Sequence, residues 1–591
     1  MADVGSLRSH HAGELRTEDS GKRVRLAGWV ARHRDHGGVL FVDLRDRSGV
    51  VQLVLDPDRV PQAGDLRMEY CVSVSGEVRR RPEGRENPGL VTGAVEVVCD
   101  ELSILSPAET PPFLIDDRVE VDERIRLQYR YLDLRRPSME RNLRARSEAA
   151  RAIREVLFER GFLEVETPTL VRSTPEGARD LLVPSRLRRG RFYALPQSPQ
   201  LYKQLLMVAG VERYFQLARC YRDEDFRSDR QVEFTQLDLE GSFWEESGVQ
   251  EAVEAVISEV VHRVRGSRPK TPFLRLTHAE AVDRYGTDKP DLRFGMEISD
   301  LSLALAGTRF RVFGDTLASG GVVRGLNAGA AGLSRARLDA LVDRAKELGA
   351  RGLVWMEMAQ DLPVRSPVAK LLSAQEQETV ARELRGRPGD LLLIVADAPR
   401  VVSKVLGQLR VELGQPPGHQ ELAFVWVIEF PVFDVTEEGS LTPSHHPFTA
   451  PMDVEQMRSA PDKAVARAYD LVVNGVELGS GSVRIHDPDV QAQVFEILGI
   501  GQDEARSRFG WFLEALRYGT PPHAGFAVGF DRLVAVLQEA SSIREVIPFP
   551  KTQTGIDPLT ASPDAVEEAQ LRELGLALRP ETLRELEEGD D

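Results

Sequence analysis

One stretch constrains this chain more than any other: Tyr221-Arg222-Asp223-Glu224-Asp225-Phe226-Arg227, followed by Gln231, Phe234 and the run Thr235-Gln236-Leu237-Asp238-Leu239-Glu240. A largely apolar run, Tyr214-Phe215-Gln216-Leu217, leads into it, so the segment reads as a strand, a charged loop and a second strand. Alternation puts Gln236, Asp238 and Glu240 on one face of that second strand, where a buried sheet face is ordinarily apolar. Polar side chains that share a buried face need a ligand or one another. The arginines of the loop add the chemistry of a polyanion site.

At 591 residues the chain is too long for one core, so three or four domains are expected. Hydrophobic content of 42% and charged content of 29% fit an ordinary globular protein and exclude a disordered or fibrous one. No run of about 18 apolar residues is present to span a membrane. Met1 to Arg8 lack the apolar centre of a signal peptide. Cys71, Cys99 and Cys220 have neither metal-ligand spacing nor a disulfide framework. A cytoplasmic enzyme is expected.

The net charge of −17 argues mildly against nucleic acid, but a global sum hides local patches. Arg79, Arg80, Arg81 and Arg85 form one basic cluster, and Lys22, Arg23, Arg25, Arg32, His33 and Arg34 another. Both fall in residues 1–105, where short alternating runs predict five strands: around Val24 to Gly28, Val39 to Leu44, Val50 to Leu55, Val72 to Val78 and Val95 to Val98. Five strands in about a hundred residues fit a small closed barrel of the OB type, a common binder of single-stranded RNA. A proline-containing hinge, 106–138, follows. Helical spacing runs from Leu143 to Arg160, with Gly161 placed as a C-cap. Residues 300–415 alternate helices and strands, with a helix from Arg335 to Leu348 capped by Ser334, and read as a compact α+β insert. The tail, 563–591, is acidic.

The segment around Arg222 resembles motif 2 of the class II aminoacyl-tRNA synthetases. Gly525-Phe526-Ala527-Val528-Gly529-Phe530-Asp531-Arg532-Leu533 resembles motif 3, and Gly161 to Pro168 resembles motif 1. Four further segments are similar to the bacterial-type aspartyl-tRNA synthetases: Ser173 to Asp180, Gln197 to Lys203, His445 to Thr449 and Glu477 to His486. The resemblance covers almost the whole chain. It implies a multidomain α/β protein: an OB-fold anticodon-binding barrel, a class II antiparallel-sheet catalytic domain in two parts (139–299 and 416–562), and the inserted α+β domain between them.

By that resemblance L-aspartate is held by Glu176, Ser198, Gln200, Lys203, Arg222, Asp238, His445 and Arg484. A carboxylate substrate suits a planar guanidinium with a second cation beside it, as Arg484 and Lys203 offer. Asp238 and Glu176 would face the substrate ammonium. ATP falls to Arg222, Asp223, Glu224, Gln231, Phe234, Glu477, Gly529, Phe530, Asp531 and Arg532, with Arg222, Arg532 and Glu477 as the catalytic set. Asp470 and Glu477 would hold Mg²⁺ on the phosphates. Phe41, Gln52, Arg32 and Arg81 would read the anticodon. His36 and Gly84 match positions that in relaxed enzymes accept both tRNA(Asp) and tRNA(Asn). A homodimer without membrane attachment is implied. Three alternatives stay open: strict tRNA(Asp) specificity, a non-catalytic paralogue that only binds RNA, and a synthetase-like asparagine synthetase, against which the barrel argues.

Overall fold

The computed structural model describes residues 7–174, 178–225, 227–359, 364–414, 421–436 and 438–588. The chain forms two compact units. The first comprises residues 1–144 with 548–552 and 556–563; the second holds the rest.

In the first unit, β1 (Arg23–His36), β2 (Val39–Asp46), β3 (Gly49–Leu55), β4 (Cys71–Arg80) and β5 (Val95–Ser106) close into a barrel in the order β1-β2-β3-β5-β4. The expected alternation is present: Val24, Leu26, Val30, Val42, Leu44, Val72, Val74 and Val78 point inward and form the core. β1 is longer than its apolar alternation suggests. Arg32 to His36 pair with Val39 to Asp43, and Gly37 and Gly38, both at positive φ, make the two-residue turn. His36 is therefore a strand residue. Residues beyond the barrel are not extended linker throughout, since Glu123–Gln128 and Arg130–Asp133 are short helices within the same unit.

The second unit is built on an eight-stranded sheet. Its order is β9 (Leu274–Thr277), β14 (Phe424–Ile428), β15 (Ala468–Val473), β16 (Val476–Val483), β17 (His523–Gly529), β8 (Glu233–Ser242), β7 (Arg213–Tyr221) and β6 (Leu163–Glu164). The six central strands are antiparallel, and the two edge strands run parallel to their neighbours. Helices α1 (Pro137–Glu159), α3 (Glu246–Arg265) and α7 (Phe530–Gln538) supply Ile153, Leu157, Val253, Ile257, Leu533 and Val534 to the core that covers one face. α2 (Gln200–Val208) precedes β7, and α4 (His278–Tyr285) follows β9. The insert forms its own four-stranded antiparallel sheet, in the order β10 (Ser299–Asp300), β11 (Val322–Asn327), β13 (Leu391–Asp397), β12 (Val354–Glu357), with α5 (Arg335–Glu347) and α6 (Pro399–Leu413) packed on it. Ser334 caps α5 through its hydroxyl, as the sequence predicts. No helix among the described residues is long and apolar enough to cross a membrane.

Candidate active site

The opposite face of the large sheet carries the chemistry. On β8, Gln236, Asp238 and Glu240 share it. Their cross-strand partners are Ala218, Gln216 and Tyr214 on β7, and Gly529, Ala527 and Gly525 on β17. The small residues of β17 leave the room that the polar groups occupy. At Gly525 this is absolute, because a Cβ would lie 1.7 Å from the Glu240 carboxylate.

On β16 the face depends on a bulge. Asp470 pairs with Ser480 and Leu471 with Gly479, but Val472 pairs with Glu477, so Leu478 is the extra residue. A regular ladder would turn Glu477 to the opposite side; the bulge brings it onto the face of Asp470 and Ser480.

Glu240 is fully buried and receives Arg484 through two parallel bonds, Nε to Oε1 at 2.8 Å and Nη2 to Oε2 at 3.1 Å. Lys203 on α2, itself 1% exposed, donates to Asp238 at 2.8 Å and lies 3.4 Å from Glu240. Burial alone would raise the pKa of Glu240, but Arg484 and Lys203 outweigh it and hold the carboxyl below its ordinary value. The Arg484 fork thus docks on the protein's own carboxylate. Its Nη1 donates to Ser482 Oγ at 2.7 Å and meets His446 Nε2 at 2.6 Å. Burial and then the Arg484 charge keep His446 neutral, its pKa well below the usual value, so it accepts from the guanidinium.

His445 points to another carboxylate. Its Nε2 lies 3.0 Å from Asp470 Oδ1. Burial disfavours the charged ring, but Asp470 more than offsets this and raises the pKa. Four buried polar atoms in this region have no partner among the described residues: Gln200 Nε2, Asp238 Oδ2, Ser444 Oγ and His445 Nδ1. All four residues line one cavity of about 520 Å³, together with Ser198, Lys203 and Arg484. A native fold rarely leaves such groups unsatisfied, and here they mark a place for a polar ligand.

A second cavity of about 420 Å³ is lined by Gln231, Phe234, Asp531 and Arg532. Arg222, Glu224, Lys289 and Glu477 line both cavities. The Arg222 guanidinium lies 5.1 Å over the Phe234 ring. Arg532 donates to the Glu477 carbonyl at 2.8 Å and reaches Asp229 at 3.3 Å. Asp223 is 3.5 Å from Arg179, and Glu224 is 3.4 Å from Arg230. Two residues of the motif 3 run differ from a simple ligand role. Phe530, the first residue of α7, is buried in the core, so only its main chain is available to a nucleotide. Asp531 accepts from the Thr235 N–H at 2.7 Å and pairs with Arg146, which anchors α7 to β8. Glu176 lies outside the described residues.

Asp470 and Glu477 present hard oxygen donors on one face, which suits Mg²⁺. No group of three His, Cys, Asp or Glu residues able to hold a metal occurs among the described residues, so an ion there needs further oxygens from the nucleotide. Glu477 is paired with Lys289 at 2.8 Å; burial raises its pKa, but Lys289 outweighs that and lowers it. Lys289, Glu240, His446 and Ser482 are the site residues that sequence reasoning left without a role. Glu240 carries a signal in its alternation with Asp238, and His446 and Ser482 lie in segments similar to the family; Lys289 carries none.

On the barrel, Phe41 is half-buried and outside the core, with its ring edge-on to His36 at 5.9 Å. Gln52 is buried and donates to Glu96 at 2.8 Å, and Glu96 also takes Arg79. Arg32 is exposed, whereas Arg81 is buried with Nε on the Val95 carbonyl. Gly84 sits in an open loop at positive φ.

The model of tRNA synthetases class II (D, K and N) matches residues 122–553, and that of the OB-fold nucleic acid binding domain matches residues 24–105. The chain is 54% identical over 583 residues to an aspartate–tRNA(Asp/Asn) ligase of Moorella thermoacetica, covering 97% of each. It is 53% identical over 590 residues to the enzyme of the same name from Rubrobacter xylanophilus, covering 98% of each. Among solved structures, asparaginyl-tRNA synthetase from Pyrococcus horikoshii with asparaginyl-adenylate shares the fold, with a TM-score of 0.58 at 21% identity over 92% of this chain and 98% of that one. The chain belongs to the class II aminoacyl-tRNA synthetases, in the family of aspartate–tRNA ligases.

Proposed function

We propose that this protein activates L-aspartate with ATP to aspartyl-adenylate and passes the aspartyl group to the 3′ end of tRNA(Asp) and tRNA(Asn), as a cytoplasmic homodimer. The observation that carries the first step is the cavity holding Arg484 and Lys203 beside four unpartnered polar atoms. Its two cations offer a seat for the side-chain carboxylate, and the open Asp238 Oδ2 accepts from the substrate ammonium. Gln200, Ser198 and His445 complete the wall, with Glu176 assigned by resemblance alone.

The attacking α-carboxylate is already ionised, so no general base is required. The rate comes from alignment and from charge stabilisation at the α-phosphate. Arg222, which lines both cavities, would meet that charge. Phe234 offers a face to adenine, with Gln231 and Glu224 at its edge, and Arg532 attracts the departing pyrophosphate. Asp470 and Glu477 would hold Mg²⁺ with the phosphates, where the ion supplies neutralising charge.

The homodimer reading draws on apolar groups in and just before the motif 1 segment: Leu163 and Phe158 are 55% and 52% exposed. Relaxed tRNA choice draws on His36, an imidazole able to bond either pyrimidine, and on the missing side chain at Gly84. Aspartate-dependent ATP–pyrophosphate exchange tests the first step, and its absence would leave a non-catalytic RNA binder. Charging of tRNA(Asn) transcript against tRNA(Asp) tests the second. A preference for tRNA(Asp) of about two orders of magnitude or more would establish strict specificity instead.

A further inference from the structure

Lys289 belongs to none of the segments that identify the family reading, yet its side chain lines both cavities. Its Nζ lies 2.8 Å from Glu477 and 3.9 Å from Asp288. The loop that carries it is held from three sides. The Lys289 N–H donates to Thr287 Oγ1 at 3.1 Å. Asp291, two residues on, packs beside Gly475, where a Cβ would meet the Asp291 Cβ at 3.5 Å; Gly475 lies in the turn that leads to Glu477. Finally, Arg410 of insert helix α6 is fully buried and donates to the carbonyls of Asp291, Phe294 and Gly295 at 2.7, 2.8 and 3.0 Å, with the Phe294 and Tyr285 rings against its guanidinium. A helix of the insert thereby fixes the main chain from which Lys289 reaches the site.

An ion pair exposed to solvent is worth little as a brace, and Lys289 is 41% exposed. Its placement matters for another reason. Glu477 and Asp470 share one sheet face, and His445 hydrogen-bonds the Asp470 carboxylate. Lys289 answers the other. A flexible stem with a point charge can change partners, which a guanidinium fork does less readily.

We propose that Lys289 is a further positioning residue for adenylation: its ammonium neutralises Glu477 while no divalent ion lies there, and yields that carboxylate to the ion when one does. This rests on the ATP reading of the second cavity. Equilibrium dialysis of ATP against the full-length protein, once in EDTA and once in excess Mg²⁺, tests it. For Lys289→Gln, metal-free ATP binding should weaken about tenfold or more, with a much smaller change in Mg²⁺. Lys289→Arg should recover most of the metal-free binding. Mn²⁺ binding to the ATP-free protein, read by electron paramagnetic resonance, should tighten in Lys289→Gln, because the two carboxylates lose their resident counter-charge. Unchanged metal-free affinity, an equal loss with and without Mg²⁺, failure of Lys289→Arg to rescue, or unaltered Mn²⁺ binding would each overturn the inference. Absence of ATP binding by the unsubstituted protein would remove the ATP reading itself and this inference with it. Normal binding there with an unresponsive Lys289→Gln removes this inference alone.

Discussion

Arg484→Lys isolates what a guanidinium does that a positive charge alone cannot. Arg484 makes four polar contacts: two to Glu240 and one each to Ser482 and His446, all between 2.6 and 3.1 Å. A lysine keeps the charge but can satisfy only one of these directions well. Glu240 does not become an orphan, because Lys203 remains 3.4 Å away. The cost to folding is therefore that of a weakened buried pair, about 2–3 kcal/mol, below the roughly 3–5 kcal/mol of a fully abandoned charge. Aspartate loses a contact as well. With the fork on Glu240 and Nη1 on Ser482 and His446, one N–H of Nη2 is left for the substrate, and losing that charge-assisted contact at roughly 1.5–3 kcal/mol lowers kcat/KM for aspartate by more than about tenfold, up to roughly 10². The assay is ATP–pyrophosphate exchange with both substrates varied, next to a thermal melt. The expected result is a collapse in the aspartate dependence, a KM for ATP near that of the parent, and a folded protein. An aspartate kcat/KM within about tenfold of the parent would refute the placement of Arg484 against the substrate. An equal loss of ATP affinity would reassign it to holding the sheet.

Gly525→Ala should be among the most damaging single-methyl changes in the chain, since the new Cβ would lie 1.7 Å from the Glu240 carboxylate; a destabilisation of about 3 kcal/mol or more and loss of exchange activity are expected, and a melt near that of the parent would contradict it. The Asp470 carboxylate raises the pKa of His445 against the effect of burial, so its positive charge is complete below the ordinary histidine range and is lost as pH rises through the raised value. Aspartate affinity should fall over that window, with a flatter profile in His445→Gln; a parent affinity independent of pH would contradict it. Phe41→Ala should weaken tRNA charging and leave pyrophosphate exchange intact, because the ring lies outside the barrel core; parallel losses in both assays would return Phe41 to a structural role. His36→Leu should reduce charging of tRNA(Asn) more than of tRNA(Asp), and equal effects would remove His36 from tRNA choice.

What the sequence made legible follows from period and chemistry. Valines at every second position dictate the barrel strands, and they are buried where alternation puts them. The polar face of β8 was equally plain, since Gln236, Asp238 and Glu240 break the rule for a buried sheet. What stayed hidden required distance or register. Nothing in the sequence marks Leu478 as a bulge, yet without it Glu477 faces away from Asp470. Lys289 lies about two hundred residues from Glu477, in a loop whose shape depends on a helix of the insert. The resemblance assigns Gly529, Phe530, Asp531 and Arg532 to the nucleotide, but helical geometry sends Phe530 inward and commits Asp531 to Arg146 and the Thr235 N–H. The guanidinium fork of Arg484 was expected on the substrate and is on Glu240, because a buried arginine satisfies its own fold first.

That last point changes how selectivity for an acidic side chain arises. The inner cluster is electrically balanced by itself, with Lys203 and Arg484 against Asp238 and Glu240. Free aspartate carries two carboxylates and one ammonium, and asparagine only one of each. A balanced cluster has no long-range preference between them, and the cavity atoms without a partner among the described residues choose by contact. Asp470 raises the pKa of His445 against the effect of burial, and the proposed seat for aspartate includes that ring. Asp470 is in turn beside Glu477 and the Lys289 that neutralises it. On the proposed reading, the seat of the amino acid and the carboxylates beside the nucleotide's phosphates therefore belong to one short chain of charges. Any change of cation at Glu477 is felt at His445, and the site is best described as a single electrostatic unit spanning both cavities.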